Sequence, residues 1–189
     1  MYETNTVYDH PGLLLAETGV IMLTSSFNQS NIMPIVARIM EYNLLPKATQ
    51  PEEIKLIINS PGGEVASAMH LIDTMKTSSI PIRTIGMGMV ASCGVLTLMS
   101  GTKGRRCASP TTSIMSHQYA GGTGGKDHEM RASRVHMDFL TDTLLNHYKK
   151  CCGKSAAYIN KHLLGPSDVW MTAEEAIKHG IIDSVTAEY

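Results

Sequence analysis

The stretch Ile54-Lys55-Leu56-Ile57-Ile58-Asn59-Ser60-Pro61-Gly62-Gly63 indicates the fold class of this chain. Its first five residues are rich in β-branched side chains and too apolar to face water on both sides, which predicts a buried strand. The glycine pair predicts a tight turn into a helix from about Glu64 to Ser78. Its predicted inward face is Val65, Met69, Ile72 and Met75. A buried strand followed by a helix is typical of an α/β domain with a largely parallel sheet.

The same pattern occurs on both sides of this stretch. Upstream, Val20–Leu23 predicts a strand and Asn28–Asn43 a helix. Downstream, residues 81–85 predict a strand, Gly86-Met87-Gly88 a bend and 92–100 a helix. Strands that alternate with helices favour one sheet with covering helices.

The second half of the chain contains a long helix. Residues 112–116 predict a short strand, and glycines within 121–125 predict a hinge before a helix from about Asp127 to Lys150. Polar and apolar positions occur on several sides of this helix, which suggests contact with another subunit. Its predicted apolar face is Val135, Phe139, Leu140, Leu144 and Tyr148. A last helix begins at Thr172, where Thr172 and Glu175 match a capping box. We find no internal linker and expect a single domain over residues 1–189.

Composition excludes several classes of partner. The 189 residues carry a net charge of −1, and 43% are apolar, so neither nucleic acid nor an anionic membrane is indicated. The four cysteines lack zinc-binding spacing, and we expect no metal, reduced thiols and a cytoplasmic location. The uncharged stretch 84–102 contains four glycines, which favours a buried strand and helix over a membrane span.

Two features could serve catalysis or only local structure. Gly62-Gly63 lacks the longer phosphate-loop motif, so it is either a plain turn or a pair of amides for an oxyanion. Ser92, in Ala91-Ser92-Cys93-Gly94, stands where a strand meets a helix and could be a helix cap or a nucleophile.

Two further residues are ambiguous when each is taken alone. His117 follows a predicted strand beside the glycine-rich segment, a position suited to proton transfer. Asp168 lies in the loop Pro166-Ser167-Asp168-Val169-Trp170 and has no distinguishing context of its own.

Read in order, these features resemble the family of Clp protease proteolytic subunits (ClpP). The matching segments lie around Asn59–Gly63, Gly88–Gly94, Ile114–Gln118, Asp168–Ala176 and Gly180–Asp183. The resemblance runs over most of the chain. It implies the ClpP/crotonase-like fold of repeated β-β-α units, with a protruding handle helix within about residues 119–150 and an N-terminal axial segment, 1–18.

The resemblance also implies a role for each site residue. Ser92 would be the nucleophile, His117 the general base and Asp168 the residue that orients the histidine, as in a Ser-His-Asp triad. The backbone N–H groups of Gly62 and Cys93 would bind the oxyanion. The activity implied is that of a serine endopeptidase, which hydrolyses unfolded polypeptides and needs no cofactor of its own.

The family's assembly implies further partners. Two stacked seven-membered rings of identical subunits would enclose the active sites, and an AAA+ unfoldase would use ATP to feed unfolded protein through axial pores. This chain differs from the family at Tyr119, where a proline is usual, at Ser116, where an apolar residue is usual, and in its N-terminal segment.

Three alternatives stay open at this point. The first is an acyl-CoA enzyme of the crotonase group, which uses a similar pair of oxyanion amides. The second is a non-catalytic ClpP-like subunit within a mixed ring. The third takes Cys93 as the nucleophile, although its side chain would point away from His117 if Ser92 points toward it.

Overall fold

The computed structural model describes residue 15 and residues 17–186 of the chain. Most of the predicted axial segment, 1–18, lies outside these residues. The strands are β1 (Val20–Leu23), β2 (Ile54–Ser60), β3 (Ile82–Ala91), β4 (Arg106–Ala108), β5 (Ser113–Ser116), β6 (Val169–Met171) and β7 (Ser184–Val185). The helices are α1 (Gln29–Leu44), α2 (Val65–Thr77), α3 (Cys93–Leu98), α4 (Asp127–Cys152), α5 (Ala156–His162) and α6 (Ala173–His179), with a 3₁₀ turn at Lys47–Thr49.

Within the described residues the strands form one largely parallel sheet. Its main order is β1-β2-β3-β4-β7, and all these pairs are parallel. β5 pairs in parallel with the end of β3, and β6 pairs antiparallel with β5. This architecture confirms the α/β class predicted from the alternation of strands and helices.

Strand β3 corrects one prediction. The expected bend at Gly86-Met87-Gly88 is instead part of a continuous ten-residue strand. Residues 84–86 pair with β4 and residues 89–91 pair with β5, so β3 changes neighbours at these glycines. Gly88 has φ 73°, a conformation that glycine adopts without strain, and a local irregularity therefore stays within the strand.

Four short elements were not predicted from sequence. They are β4, β6, β7 and α5, each two to seven residues long. Such short segments carry too few residues to show a period, and their pairing partners lie far away in sequence. The last helix, in contrast, has the predicted Thr172–Glu175 capping box and ends at Gly180 with φ 81°.

Helices α1 and α2 cover the sheet beside the site. The buried side of α2 is shifted from its predicted face. Ile72 and Met75 are buried as expected, whereas Val65 and Met69 are only half-buried. Ser67, Ala68 and Leu71 complete the buried face, because α2 packs between α1 and α3 rather than against one neighbour.

Helix α4 was predicted within two residues of its observed end. Its buried residues all lie in its last nine positions, as Leu144, His147, Tyr148 and Cys152. Val135 and Phe139, which the sequence placed on the same apolar face, are 71% and 64% exposed. No helix within the described residues is long and apolar enough to cross a membrane.

Candidate active site

Ser92 has a strained backbone at the junction of β3 and α3. Its φ is 55° and ψ −119°, and it is the one residue other than glycine with positive φ in the described part of the chain. Such a conformation costs about 1–3 kcal/mol and is often found at functional sites. Two hydrogen bonds hold the turn, from Ser92 N–H to the Met115 carbonyl and from Val95 N–H to the Ser92 carbonyl, both 2.9 Å. The sharp strand-to-helix turn presents the side chain outward, as a nucleophile elbow does.

The Ser92 side chain does not cap the helix that it precedes. Ser92 occupies the N-cap position of α3, yet its hydroxyl makes no capping hydrogen bond. Its Oγ instead lies 2.7 Å from Nε2 of His117. The capping interpretation of Ser92 is therefore wrong, and the hydroxyl is free to react.

The sheet brings His117 to Ser92 across a gap of 25 residues. β5 pairs with β3 so that Met115 lies opposite Ala91, and the two segments then leave the sheet at the same end. Side chains at the carboxyl ends of parallel strands meet at one edge of the sheet. Ser92 and His117 are both half-buried there.

Asp168 directly precedes β6, the strand that pairs with β5. In the antiparallel pairing of β5 with β6 the last pair is Ser116 and Val169. The next positions in this register are His117 and Asp168. The Asp168 side chain is exposed, and no hydrogen bond joins it to His117 among the described residues. The structure thus brings Ser92 and His117 into contact, whereas Asp168, the third predicted residue, makes no hydrogen bond to His117 within the described part of the chain.

The glycine turn packs directly against the Ser92 turn. A Cβ added at Gly62 would lie 2.6 Å from Cβ of Ser92 and 3.0 Å from the Cys93 nitrogen, so no larger residue fits at position 62. The Gly62 N–H already donates to Oγ of Ser60 at 3.2 Å. Neither Gly63 N–H nor Cys93 N–H has a hydrogen-bond acceptor among residues 17–186. Gly63 and Cys93 line the cavity next to Ser92, and Gly62 does not.

This arrangement can be compared with known proteins. The sequence profile of the Clp protease family matches residues 3–189. The chain belongs to the Clp protease family. A relative from Leifsonia xyli subsp. xyli (strain CTCB07), named ATP-dependent Clp protease proteolytic subunit 1, is 33% identical over 171 residues, or 90% of this chain and 84% of the relative. ATP-dependent Clp protease proteolytic subunit 2 of Thermobifida fusca (strain YX) is 32% identical over 179 residues, covering 95% and 86%.

A third relative comes from Streptococcus pyogenes serotype M5 (strain Manfredo). It is named ATP-dependent Clp protease proteolytic subunit and is 33% identical over 180 residues, which cover 94% of this chain and 89% of the relative. Membership of the Clp protease family supports a serine peptidase and argues against the acyl-CoA alternative.

Cys93 has the properties of a core residue. Its side chain is 2% exposed, and its Sγ donates to the Gly63 carbonyl at 3.2 Å. Burial raises the pKa of the Cys93 thiol to about 11. Because the thiolate is the reactive form, a neutral buried thiol is unsuited to attack. The alternative with Cys93 as nucleophile has no structural support.

Behind His117 lies a hydrogen-bond network that the sequence did not reveal. Oγ of Ser116 donates to the Leu163 carbonyl at 2.7 Å, and Tyr148 OH lies 2.7 Å from the same Oγ. Ser116 is fully buried, and burial holds the pKa of Tyr148 far above its ordinary value. These bonds fix the residue before the histidine to α4 and to the end of α5. The only sequence signal was that Ser116 stands where the family has an apolar residue.

A cavity of about 830 Å³ adjoins the Ser92–His117 pair. Its walls come from α3, α4 and α5 and from the segments that follow β2 and β5. No group of three histidine, cysteine, aspartate or glutamate side chains able to hold a metal occurs in the described part of the chain.

Proposed function

We propose that this chain hydrolyses peptide bonds with Ser92 as nucleophile, His117 as general base and Asp168 as orienting carboxylate. The observation that carries the proposal is the 2.7 Å contact between Ser92 Oγ and His117 Nε2 at a strained turn. A serine becomes nucleophilic when an adjacent base accepts its proton. Membership of the Clp protease family supports the same chemistry.

The reaction follows from this geometry in two stages. Ser92 Oγ attacks the scissile carbonyl carbon while its proton passes to Nε2 of His117. The tetrahedral intermediate then collapses, the C–N bond breaks, and His117 returns the proton to the leaving amine. Water, deprotonated by His117, attacks the resulting ester, and the carboxylic product leaves as Ser92 regains its proton.

The oxyanion would be held by two backbone amides. Cys93 N–H is one of the free donors at the start of α3. For the second donor we propose Gly63 in place of Gly62, because the Gly62 N–H is committed to Ser60 and the Gly63 N–H is not. Each such donor contributes roughly 3 kcal/mol to the rate.

Asp168 would act by a rotation of its side chain. Asp168 directly precedes Val169, which pairs with Ser116, and this register supports a position for Asp168 opposite His117. From there its carboxylate would accept from Nδ1–H of His117 and stabilise the protonated ring. We expect Asp168→Asn to lower kcat roughly 10²–10⁴-fold in a peptide-cleavage assay.

The assembly we propose is two stacked seven-membered rings of this chain. Exposed Val135 and Phe139 on α4 support it, since a protruding helix with apolar side chains needs cover from another copy. The relatives are named ATP-dependent, which supports an AAA+ unfoldase as partner. The substrates would be unfolded polypeptides and the location cytoplasmic. ATP would be used by the unfoldase, with no cofactor in this chain.

A second candidate function rests on the exposed carboxylate of Asp168. A subunit whose third residue stays away from the histidine would be inactive and structural within a mixed ring. The two functions differ in one measurable property, the reactivity of Ser92.

The test is active-site labelling of the purified, sized particle. A fluorophosphonate probe should label wild type and Cys93→Ala but not Ser92→Ala, and peptide hydrolysis should vanish only in Ser92→Ala. Sedimentation should show about fourteen subunits for all three proteins. An unlabelled wild type would favour the structural role, and full activity in Ser92→Ala would refute the triad.

A further inference from the structure

The cavity beside Ser92 continues past the reacting groups between two helices. One wall is a single face of α4, because its residues have the spacing i, i+3, i+4 and i+7: Thr141, Leu144, Leu145 and Tyr148. The facing wall includes Asn160 of α5 and Leu164 after it. Three leucines from α3 and α4 make the interior apolar: Leu96, Leu144 and Leu145.

Among the described residues, Asp142 is the one carboxylate that lines this cavity, and no lysine or arginine lines it. The three aspartates of α4 differ in their partners. Asp127 pairs with Arg131 at 2.9 Å, and Asp138 pairs with Arg134 at 3.0 Å. Asp142 is exposed and forms no ion pair among the described residues. Its charge is therefore available to a ligand.

The rise along α4 from Tyr148 to Asp142 suits a long side chain. Tyr148 is hydrogen-bonded to Ser116, the neighbour of His117. Asp142 lies six residues before Tyr148, which is about 9 Å along a helix axis. A lysine has a four-carbon apolar stem and a cationic end, so its stem would lie on the leucines while its ammonium reaches the cavity mouth.

We propose that Asp142 is a specificity-determining residue, which favours substrate side chains with a long aliphatic stem and a cationic end. The inference rests on the proposed peptidase function. The apolar wall contributes equally to the binding of every aliphatic stem, and Asp142 adds a favourable binding contribution for lysine and arginine alone. The same charge disfavours glutamate, because a second carboxylate at the mouth would be repelled.

Matched peptides measure this contribution. Two fluorogenic peptides differ only in the side chain that precedes the scissile bond, norleucine in one and lysine in the other. The quantity measured is the ratio of kcat/KM for lysine over norleucine. Asp142→Asn should lower it roughly three- to tenfold, mainly through KM, because the contact is present in the ground state. The effect should shrink as salt increases.

Asp138→Asn is the matched control. Asp138 lies one helical turn from Asp142 and outside the cavity, and its replacement removes the same charge. It should leave the ratio unchanged within twofold, and Asp142→Lys should invert the preference toward a glutamate peptide. Fluorophosphonate labelling of each variant separates two failures. A labelled enzyme whose ratio is equal in wild type and Asp142→Asn would overturn this inference alone, whereas an unlabelled wild type would overturn the proposed peptidase function as well.

Discussion

Helix α4 passes through two environments along its 26 residues. Its C-terminal part, here called the inner part, packs in the domain through Leu144, His147, Tyr148 and Cys152. Its N-terminal part, here called the outer part, includes Val135 and Phe139, which are 71% and 64% exposed. Both parts have apolar side chains at helical spacing. The comparison shows that periodicity marks a face to be buried without telling whether the same subunit buries it.

The difference in burial indicates separate roles for the two parts of α4, support of the site for one and assembly for the other. The inner part supports the site, since Tyr148 contacts Ser116, the residue before His117, and Leu144 lines the cavity. The outer part has little to hold it within one subunit. We expect changes in the inner part to lower stability and catalysis, and changes in the outer part to affect assembly.

The largest effect should come from the anchor at the inner end of α4. Arg106 is 1% exposed, donates to the Cys151 carbonyl at 3.0 Å and pairs with Asp183 at 2.6 Å. Arg106→Met leaves that carboxylate without its main partner and should lower the free energy of unfolding by about 3–5 kcal/mol. Urea unfolding measures it. Arg105→Met, at an exposed pair with Glu53, should cost less than about 1 kcal/mol. Equal losses in the two variants would contradict an anchoring role for Arg106.

The same anchor should weaken in acid. Burial disfavours the charge of Asp183, but the hydrogen bonds and charges of Arg106 and Lys103 together outweigh burial and hold the pKa of Asp183 well below its ordinary value. A carboxylate with a lowered folded-state pKa contributes fully above its unfolded pKa of about 3.9, and this contribution is lost as the pH falls further. The stability difference between wild type and Asp183→Asn should therefore be constant from pH 7 to 5 and shrink toward pH 3. A difference independent of pH would contradict this assignment.

A smaller effect is expected at the contact between the inner part and the histidine strand. Tyr148→Phe removes the hydroxyl 2.7 Å from Ser116 Oγ and should cost about 1–2 kcal/mol in unfolding free energy. The Ser116 bond to the Leu163 carbonyl remains. We expect kcat to fall several-fold with KM nearly unchanged, because the position of His117 loosens. Tyr158→Phe, whose hydroxyl contacts His179, is the control and should leave kcat intact.

The smallest effect on a single subunit should come from the outer part. Phe139→Ala removes a side chain that is 64% exposed, so its unfolding free energy should change by less than about 0.5 kcal/mol. Sedimentation should nevertheless show a shift from double rings to single rings. Asp138→Asn, next to it in the chain, should sediment like wild type. A stable double ring in Phe139→Ala would remove the outer part of α4 from the proposed interface.

Much of this protein follows from its sequence. Buried strands such as Ile54–Ser60 are visible in β-branched runs, and helix ends such as Gly180 are visible in capping residues, because these signals are local. The motifs around Gly62-Gly63, Ser92, His117 and Asp168, and their order, can also be read directly from the sequence. They indicated the family that the profile match confirmed.

Tertiary structure decided what depends on distant partners. β3 stays extended through Gly86-Met87-Gly88 because β4 and β5 pair with it on either side of these residues. The backbone strain at Ser92 likewise depends on the segments that meet at this edge of the sheet. The position of Asp142 in the wall of the site cavity depends on how α4 packs. A single sequence records the preference of each residue, whereas a hydrogen bond or a shared cavity is a property of two segments that only the fold brings together.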